Sequence, residues 1–202
     1  MRTHGWGGAT PASDQEAIDR ILDAADDAIE ARGADMRIAD VARALGVSRQ
    51  TVYTYFPGSG ALLEAAATRS GLRFLEPLAD HLAGITDPIE ALVESLAYTL
   101  EWLPGDRAIQ VMLAHDFTKA SIGITSDACV RFGHAILAGL DVDWTDLGLG
   151  HAELDDLVEY MLRILQSFMI DPGRPARRGA VLRDYLRRWV APVLYAEITA
   201  HR

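Results

Sequence analysis

Arg49, Gln50, Thr51, Tyr53 and Thr54 carry the most suggestive chemistry in this 202-residue chain: five hydrogen-bonding side chains within six positions, interrupted only by Val52. Wound into a helix, Val52 and Phe56 lie four residues apart and turn inward, which leaves the polar five largely outward. Arginine and glutamine can each pair doubly with the edge of a base, and hydroxyl groups reach bases or phosphates. A helix face that is merely solvated carries a mixture of glutamate and lysine instead. The run also leaves through Tyr53-Thr54-Tyr55-Phe56, an aromatic exit unusual for a surface helix. These types at this spacing suit contact with nucleic acid.

Such a helix has to be held by others. Ile38, Val41, Ala42 and Leu45 recur at i, i+3, i+4 and i+7, so a preceding helix has one apolar face. Gly46 follows at once, where a left-handed backbone is least strained, Val47 offers an apolar plug, and Ser48 is a good N-cap for the next helix. Ala42 is small enough for two helices to cross steeply. Further upstream, Ser13-Asp14-Gln15-Glu16 has the pattern of a capping box, in which Ser13 accepts from the amide of Glu16 and Glu16 reaches back. The helix it opens runs to about Arg32, with Ile18, Ile21, Leu22, Ala25 and Ile29 on one face, and Gly33 ends it. Together these features predict a braced helix-turn-helix. An ordinary corner between two helices has no need of the polar outer face.

The stretches Ile21-Leu22-Asp23-Ala24-Ala25, Ala31-Arg32-Gly33, Ile38 through Phe56-Pro57, and Ala61-Leu62-Leu63 resemble the DNA-binding domain of the TetR family of transcriptional regulators, over residues 17–64. The resemblance implies an all-α fold, with an N-terminal three-helix helix-turn-helix domain and a C-terminal helical domain for ligand binding and dimerisation. It implies that Ser48, Arg49, Gln50, Thr51, Tyr53, Thr54 and Tyr55 touch base edges or phosphates, the aromatic exit mostly the backbone. It also implies a ligand-responsive homodimeric repressor on a palindromic double-stranded operator, with an unidentified small-molecule effector and no cofactor. The chain departs from the family pattern in two places. Phe56-Pro57-Gly58-Ser59 lacks the lysine of a Phe-x-x-Lys ending, so only the Ser59 hydroxyl stands there. Met36-Arg37-Ile38 lacks the usual threonine or serine, and Arg37 is the candidate for that backbone contact.

Charge argues the other way. The chain carries a formal net charge of −10, and residues 1–60 hold six Arg against nine Asp and Glu, whereas a DNA-binding surface is ordinarily basic. Position softens the objection: Asp19, Asp23, Asp26, Asp27 and Glu30 belong to the first helix, while residues 41–60 contain two Arg and no acid. The expectation is weak non-specific affinity with a shallow salt dependence. The same charge keeps a second reading open, a helical ligand-binding or interaction protein of this fold with weak or no DNA binding. Acids of helix 1 gathered around residues 48–54 would favour it.

The remaining composition narrows the class. No run of eighteen apolar residues exists to span a membrane, and the start lacks the apolar stretch of a signal peptide. A single cysteine, Cys129, excludes an internal disulfide and fits a reducing compartment, so the expected location is cytoplasmic. Residues 1–12, rich in Gly and Thr, read as a disordered arm, residues 13–60 as the helix-turn-helix domain, and residues 61–202 as the regulatory and dimerisation domain.

Within that second part, Ala61-Leu62-Leu63 opens a helix toward Leu82, bent near Pro77, that connects the two halves. Asp87-Pro88 starts another, ending at Pro104-Gly105. Helices over 106–119 and 126–140 follow, and then an acidic connection with Trp144. Leu154, Leu157, Val158, Met161, Leu162, Leu165, Phe168 and Met169 give the clearest amphipathic stripe. A last helix over 176–199 presents Leu182, Tyr185, Leu186, Trp189, Val190, Val193 and Leu194 on one side. These final two helices are the expected dimerisation pair, as a four-helix interface. The arginines 177, 178, 183, 187 and 188 read as a solvated or ion-paired face.

Evidence of catalysis is thin. His115-Asp116, His134, His151 and Glu153 show no metal-ligand spacing, the Gly-x-Gly elements lack a strand-turn-helix setting, and Cys129 lies mid-helix among apolar residues. The chain is therefore read as a non-enzyme without a metal. The residues that could line an effector cavity are Tyr98, Trp102, Met112, His115, Phe117, Phe132, Met161 and Phe168, suited to an apolar ligand with one or two polar groups.

Overall fold

The computed structural model describes residues 6–116 and 127–200, and among these the regular structure is all helical. Ten α-helices succeed one another: α1 (Asp14–Arg32), α2 (Ile38–Leu45), α3 (Arg49–Tyr55), α4 (Ser59–Leu82), α5 (Pro88–Trp102), α6 (Arg107–Asp116), α7 (Asp127–Ala138), α8 (His151–Ile170), α9 (Gly179–Trp189) and α10 (Ala191–Ala200). They form two compact units, Met1–Leu72 with Asp106–Lys119, and Arg73–Gly105 with Ala120–Arg202. The chain passes between them within α4, and α6 belongs to the first unit although both its sequence neighbours belong to the second.

The first unit packs α1, α2 and α3 around one core. Ile21, Ala25, Ile29, Val41, Ala42 and Val52 are buried there, with Leu62 and Ala66 of α4. Each fully buried valine, leucine or isoleucine among them contributes about 1.5–3 kcal/mol before conformational entropy is set against it. Ala108 and Val111 bring α6 into the same core, against α1 and the turn after it. Ser70 of α4 is nearly wholly buried and its hydroxyl donates to Asp106, which also accepts from the amide of Ile109 at 2.9 Å.

The second unit is a bundle of α5, α7, α8, α9 and α10 with the last part of α4. Phe74, Leu78, Leu92, Leu96, Val158, Leu182 and Leu186 form its centre. Asp87 caps α5 by accepting from the amides of Ile89 and Glu90 at 3.0 and 2.9 Å. Gly133 sets the approach of α7 to α8: a Cβ there would lie 2.5 Å from Cγ1 of Val158. Trp144 is buried in the α7–α8 connection and donates from its indole nitrogen to the carbonyl of Leu137 at 3.2 Å.

The single helix expected over 176–199 is two helices. Pro192 lacks an amide hydrogen and its ring crowds the carbonyl four residues back, so α9 ends at Trp189 and α10 begins at Ala191. Trp189, on the apolar side of the expected helix, is 62% exposed in the single chain. Among the described residues no helix is long and apolar enough to cross a membrane.

Candidate nucleic-acid interface

The turn between α2 and α3 is built as its residues require. Gly46 takes a left-handed conformation (φ 66°, ψ 26°) and its amide closes α2 on the carbonyls of Ala42 and Arg43. The amide of Val47 also returns to Ala42, at 2.9 Å. Ser48 then caps α3, its hydroxyl accepting from the amide of Thr51 at 3.1 Å and lying 2.9 Å from the Thr51 hydroxyl. Val52 and Phe56 fix α3 from behind, both buried.

This arrangement leaves Ser48, Arg49, Gln50, Tyr53 and Thr54 exposed on one short helix, with Arg37 and Arg43 exposed on the approach and on α2. Two of the expected contact residues have internal partners. Thr51 is half-buried and engaged with Ser48, and Tyr55 is half-buried, its phenol donating to Oδ1 of Asp14 at 3.1 Å. Burial raises the Tyr55 pKa above its ordinary 10.0, and the hydrogen bond to Asp14 and that carboxylate's charge add to the shift. Thr54 spends its hydroxyl on the carbonyl of Gln50 at 3.0 Å. Arg49 and Gln50 are both exposed, and their side-chain types can pair doubly with a base edge. Asp40 accepts from the amide of Arg37 at 3.2 Å and pairs with Arg43 at 3.3 Å, so one carboxylate steadies both exposed arginines' backbone and side chain.

Two of the α1 acids, Asp23 and Asp26, are turned to α4 instead of this face. Arg69 of α4 binds Asp23 and Asp26, each at 2.8 Å, and reaches the carbonyl of Asp19 at 3.3 Å. Those charges serve the packing of α1 on α4. Asp14, also of α1, touches α3 through Tyr55.

Residues 6–12, expected as part of a disordered arm, are instead held against the unit. Trp6 packs on its core, Ala9 accepts from Arg20 at 2.6 Å, and the amide of Ala12 donates to Glu16 at 2.7 Å. Glu16 therefore reaches back one residue further than a capping box with Ser13 requires, and these bonds hold its pKa below the ordinary value, the Ala12 bond foremost. A lone tryptophan in a glycine-rich arm was the available signal, since glycines permit the left-handed backbone that docking needs.

In the second unit the residues proposed for an effector cavity divide. Trp102 and Phe132 surround Phe74 at ring separations of 4.4 and 6.4 Å, with Tyr98 at 5.7 Å. Met161 borders a different place, a small apolar recess lined also by Leu92, Leu157, Tyr160 and Leu194. Phe168 meets Tyr185 edge to face at 5.7 Å. Phe117 and the side chains of Met112 and His115 lie outside the described residues. Among the described residues no group of three histidine, cysteine or acidic side chains is arranged to hold a metal ion. Nε2 of His134 lies 2.7 Å from Asp155, tying α7 to α8, with His151 at 3.8 Å from the same carboxylate.

Residues 21–66 match the family model of bacterial regulatory proteins, tetR family. An uncharacterized HTH-type transcriptional regulator of Mycobacterium tuberculosis (strain H37Rv) is 28% identical over 182 residues, covering 87% of this chain and 86% of that protein. Among solved structures, the TetR family repressor AlkX from Dietzia, implicated in biodegradation of n-alkanes, superposes with a TM-score of 0.64 at 22% identity. It spans 94% of this chain and all of its own. A TetR-like transcriptional regulator from Rhodococcus sp. RHA1 gives a TM-score of 0.53 at 18% identity, over 93% and 99% of the two chains.

Proposed function

We propose that the chain is a TetR-family transcriptional regulator that represses as a homodimer, reads a palindromic operator through Arg49 and Gln50 and releases it when an effector binds. The observation that carries the reading is the recognition helix itself. It is capped by Ser48, fixed by Val52 and Phe56, and presents Arg49, Gln50 and Tyr53 to solvent. Two such helices in successive major grooves lie about 34–36 Å apart, or a little more, so the operator has two half-sites related by a two-fold axis. The pairing of Asp23 and Asp26 with Arg69 weighs for this reading over a helical protein that does not bind DNA.

Exposed apolar side chains on α9 and α10, the two pieces of the expected last helix, support dimerisation through that helix together with α8. Val181, Trp189 and Tyr195 are each at least 60% exposed, and such a set on a lone molecule marks a surface awaiting a partner. The effector is apolar with one or two polar groups, a reading supported by the aromatic side chains Tyr98, Trp102 and Phe132 gathered around Phe74. It must bind more tightly to a conformation that holds the recognition helices at the wrong spacing, and by linkage DNA then weakens effector binding equally.

The test is selection of genomic fragments by the intact protein, followed by a salt series on the retained DNA. A retained palindrome is expected. Gln50→Ala then costs about 1–3 kcal/mol on that sequence and relaxes its specificity, whereas Tyr53→Ala weakens all sequences alike. Retention without sequence preference, unchanged by either substitution, would refute the operator reading.

A further inference from the structure

Arg43 is the one cation of α2. That helix buries Ile38, Val41 and Ala42, which turns Arg43 outward with its side chain 73% exposed. The side chain nevertheless does not extend freely into solvent. Helical side chains lean back over the preceding turn, and Nη1 of Arg43 meets Oδ1 of Asp40 at 3.3 Å. The other oxygen of Asp40 accepts from the amide of Arg37, the N-cap of α2, at 3.2 Å. A single carboxylate therefore lies between the Arg43 guanidinium and the N-terminal end of α2.

Asp40 itself is largely buried, its side chain 13% exposed, and Arg32 at the end of α1 reaches the same Oδ1 at 3.7 Å. One carboxylate thus answers two guanidinium groups and leaves one positive charge over. The bond to Asp40 engages one of the five N–H donors of Arg43, so others stay available to a second acceptor. In a helix-turn-helix the first helix crosses the sugar–phosphate backbone while the second enters the groove. The positive end of the helix dipole favours an anion at the N-terminus of that first helix. Asp40 folds Arg43 back to this end of α2, where a phosphate passes.

We propose that Arg43 contacts a DNA phosphate at the N-terminal end of α2 and that Asp40, although an acid, is the residue that positions it there. Arg43 supplies a cation to an interface whose Phe56-Pro57-Gly58-Ser59 exit has none. The proposal rests on the regulator reading above, because it assumes that α3 enters the groove. Charge alone would give Asp40 the opposite part, a repulsion beside the backbone. The two parts differ in a measurable way. A positioning acid makes the contribution of Arg43 depend on its presence, whereas a merely repelling acid acts independently of Arg43.

The experiment measures binding of the full chain to a duplex carrying the DNA upstream of its own gene, and to a random-sequence duplex of equal length, across a salt series. Arg43→Ala is expected to lower affinity about three- to tenfold on both duplexes and to reduce the salt slope by about one, with thermal stability unchanged. Arg43→Lys restores the slope. Asp40→Asn keeps an oxygen for the Arg37 amide, and with it the start of α2, but loses the charge that holds the guanidinium. In that background Arg43→Ala should cost about twofold or less. If the unaltered chain binds while Arg43→Ala matches it in affinity, or lowers affinity without changing the slope, the phosphate contact is overturned and the regulator reading stands. Equal losses from Arg43→Ala with and without the Asp40 charge overturn the positioning by Asp40. If the unaltered chain binds neither duplex at low salt, both readings fall.

Discussion

At the level of single residues, the pair Tyr55–Asp14 shows why an aromatic exit is not automatically a DNA contact. The phenol points back to α1 and is spent on a carboxylate, so Tyr53, exposed, and Tyr55, half-buried, have different parts to play. Burial and the Asp14 charge both favour the neutral phenol. The Tyr55–Asp14 tie is thus complete at neutral pH and is lost only as pH rises through the raised pKa, above 10.0. Asp14→Asn keeps an accepting oxygen and removes the charge. The expected result is a Tyr55 ionisation that moves down toward that of a free tyrosine, followed by ultraviolet titration against Tyr55→Phe. The same substitution removes a negative charge from the exit of the recognition helix. It should raise affinity on every DNA sequence about two- to fivefold, the size of one exposed charge interaction. Unaltered affinity would place Asp14 away from the phosphates. Little of this was legible beforehand, because residues 14 and 55 are joined by tertiary structure alone. The helix-turn-helix was legible, since Gly46, Ser48, Val52 and Phe56 each answer to a local rule.

Elements were readable where a cap or a period marks them, and misread where a proline competes with a pattern. Ser13, Gly33, Gly46, Ser48 and Asp87 bound their helices as their chemistry demands. The stripe from Leu182 to Leu194 continues in helical phase across Pro192, so periodicity alone joined α9 to α10. The arginines of α9 also became intelligible only once α5 lay beside them. Arg187 grips Glu90 with two bonds of 2.6 and 2.7 Å, and Arg183 grips Glu94 at 2.8 and 2.9 Å and Glu101 at 3.2 Å. The Arg187 bond holds the Glu90 carboxyl below its ordinary 4.5, against a smaller opposing effect of burial. A lowered carboxylate contributes stability above its unfolded pKa and loses it as pH falls through the folded one. Arg187→Ala should therefore destabilise the protein at neutral pH by about 1 kcal/mol or less, the pair being largely exposed. That difference should shrink in chemical denaturation as pH falls below the ordinary 4.5 and vanish below the lowered pKa of the folded state. A deficit that persists in acid would show that the arginine acts through packing of its aliphatic stem.

The whole molecule reconciles a net charge of −10 with a nucleic-acid ligand by distributing the charge. Acids of α1 are answered by Arg69 of α4, acids of α5 by arginines of α9, and the segment from Val41 to Gly60 is left without an acid of its own. On the proposed reading affinity comes from geometry more than from bulk attraction, and a two-fold operator calls for two copies. A single short recognition helix reads one half-site, whereas a dimer binds its second half-site at the high local concentration set by the first. Val181, Trp189, Val193 and Tyr195 are the exposed apolar side chains through which α9 and α10 can meet a second molecule. Placing charges there, as in Trp189→Glu with Val193→Glu, buries none of the core of the single chain but opposes burial against a partner. Light scattering is expected to show a dimer for the unaltered protein and a monomer for the double variant, with the helical circular dichroism of each alike. Operator affinity should fall at least about a hundredfold, while binding to an isolated half-site stays the same. A monomeric variant that still held the full operator at the original affinity would mean that the two half-sites are read independently, and the effector could not then work by changing the distance between recognition helices.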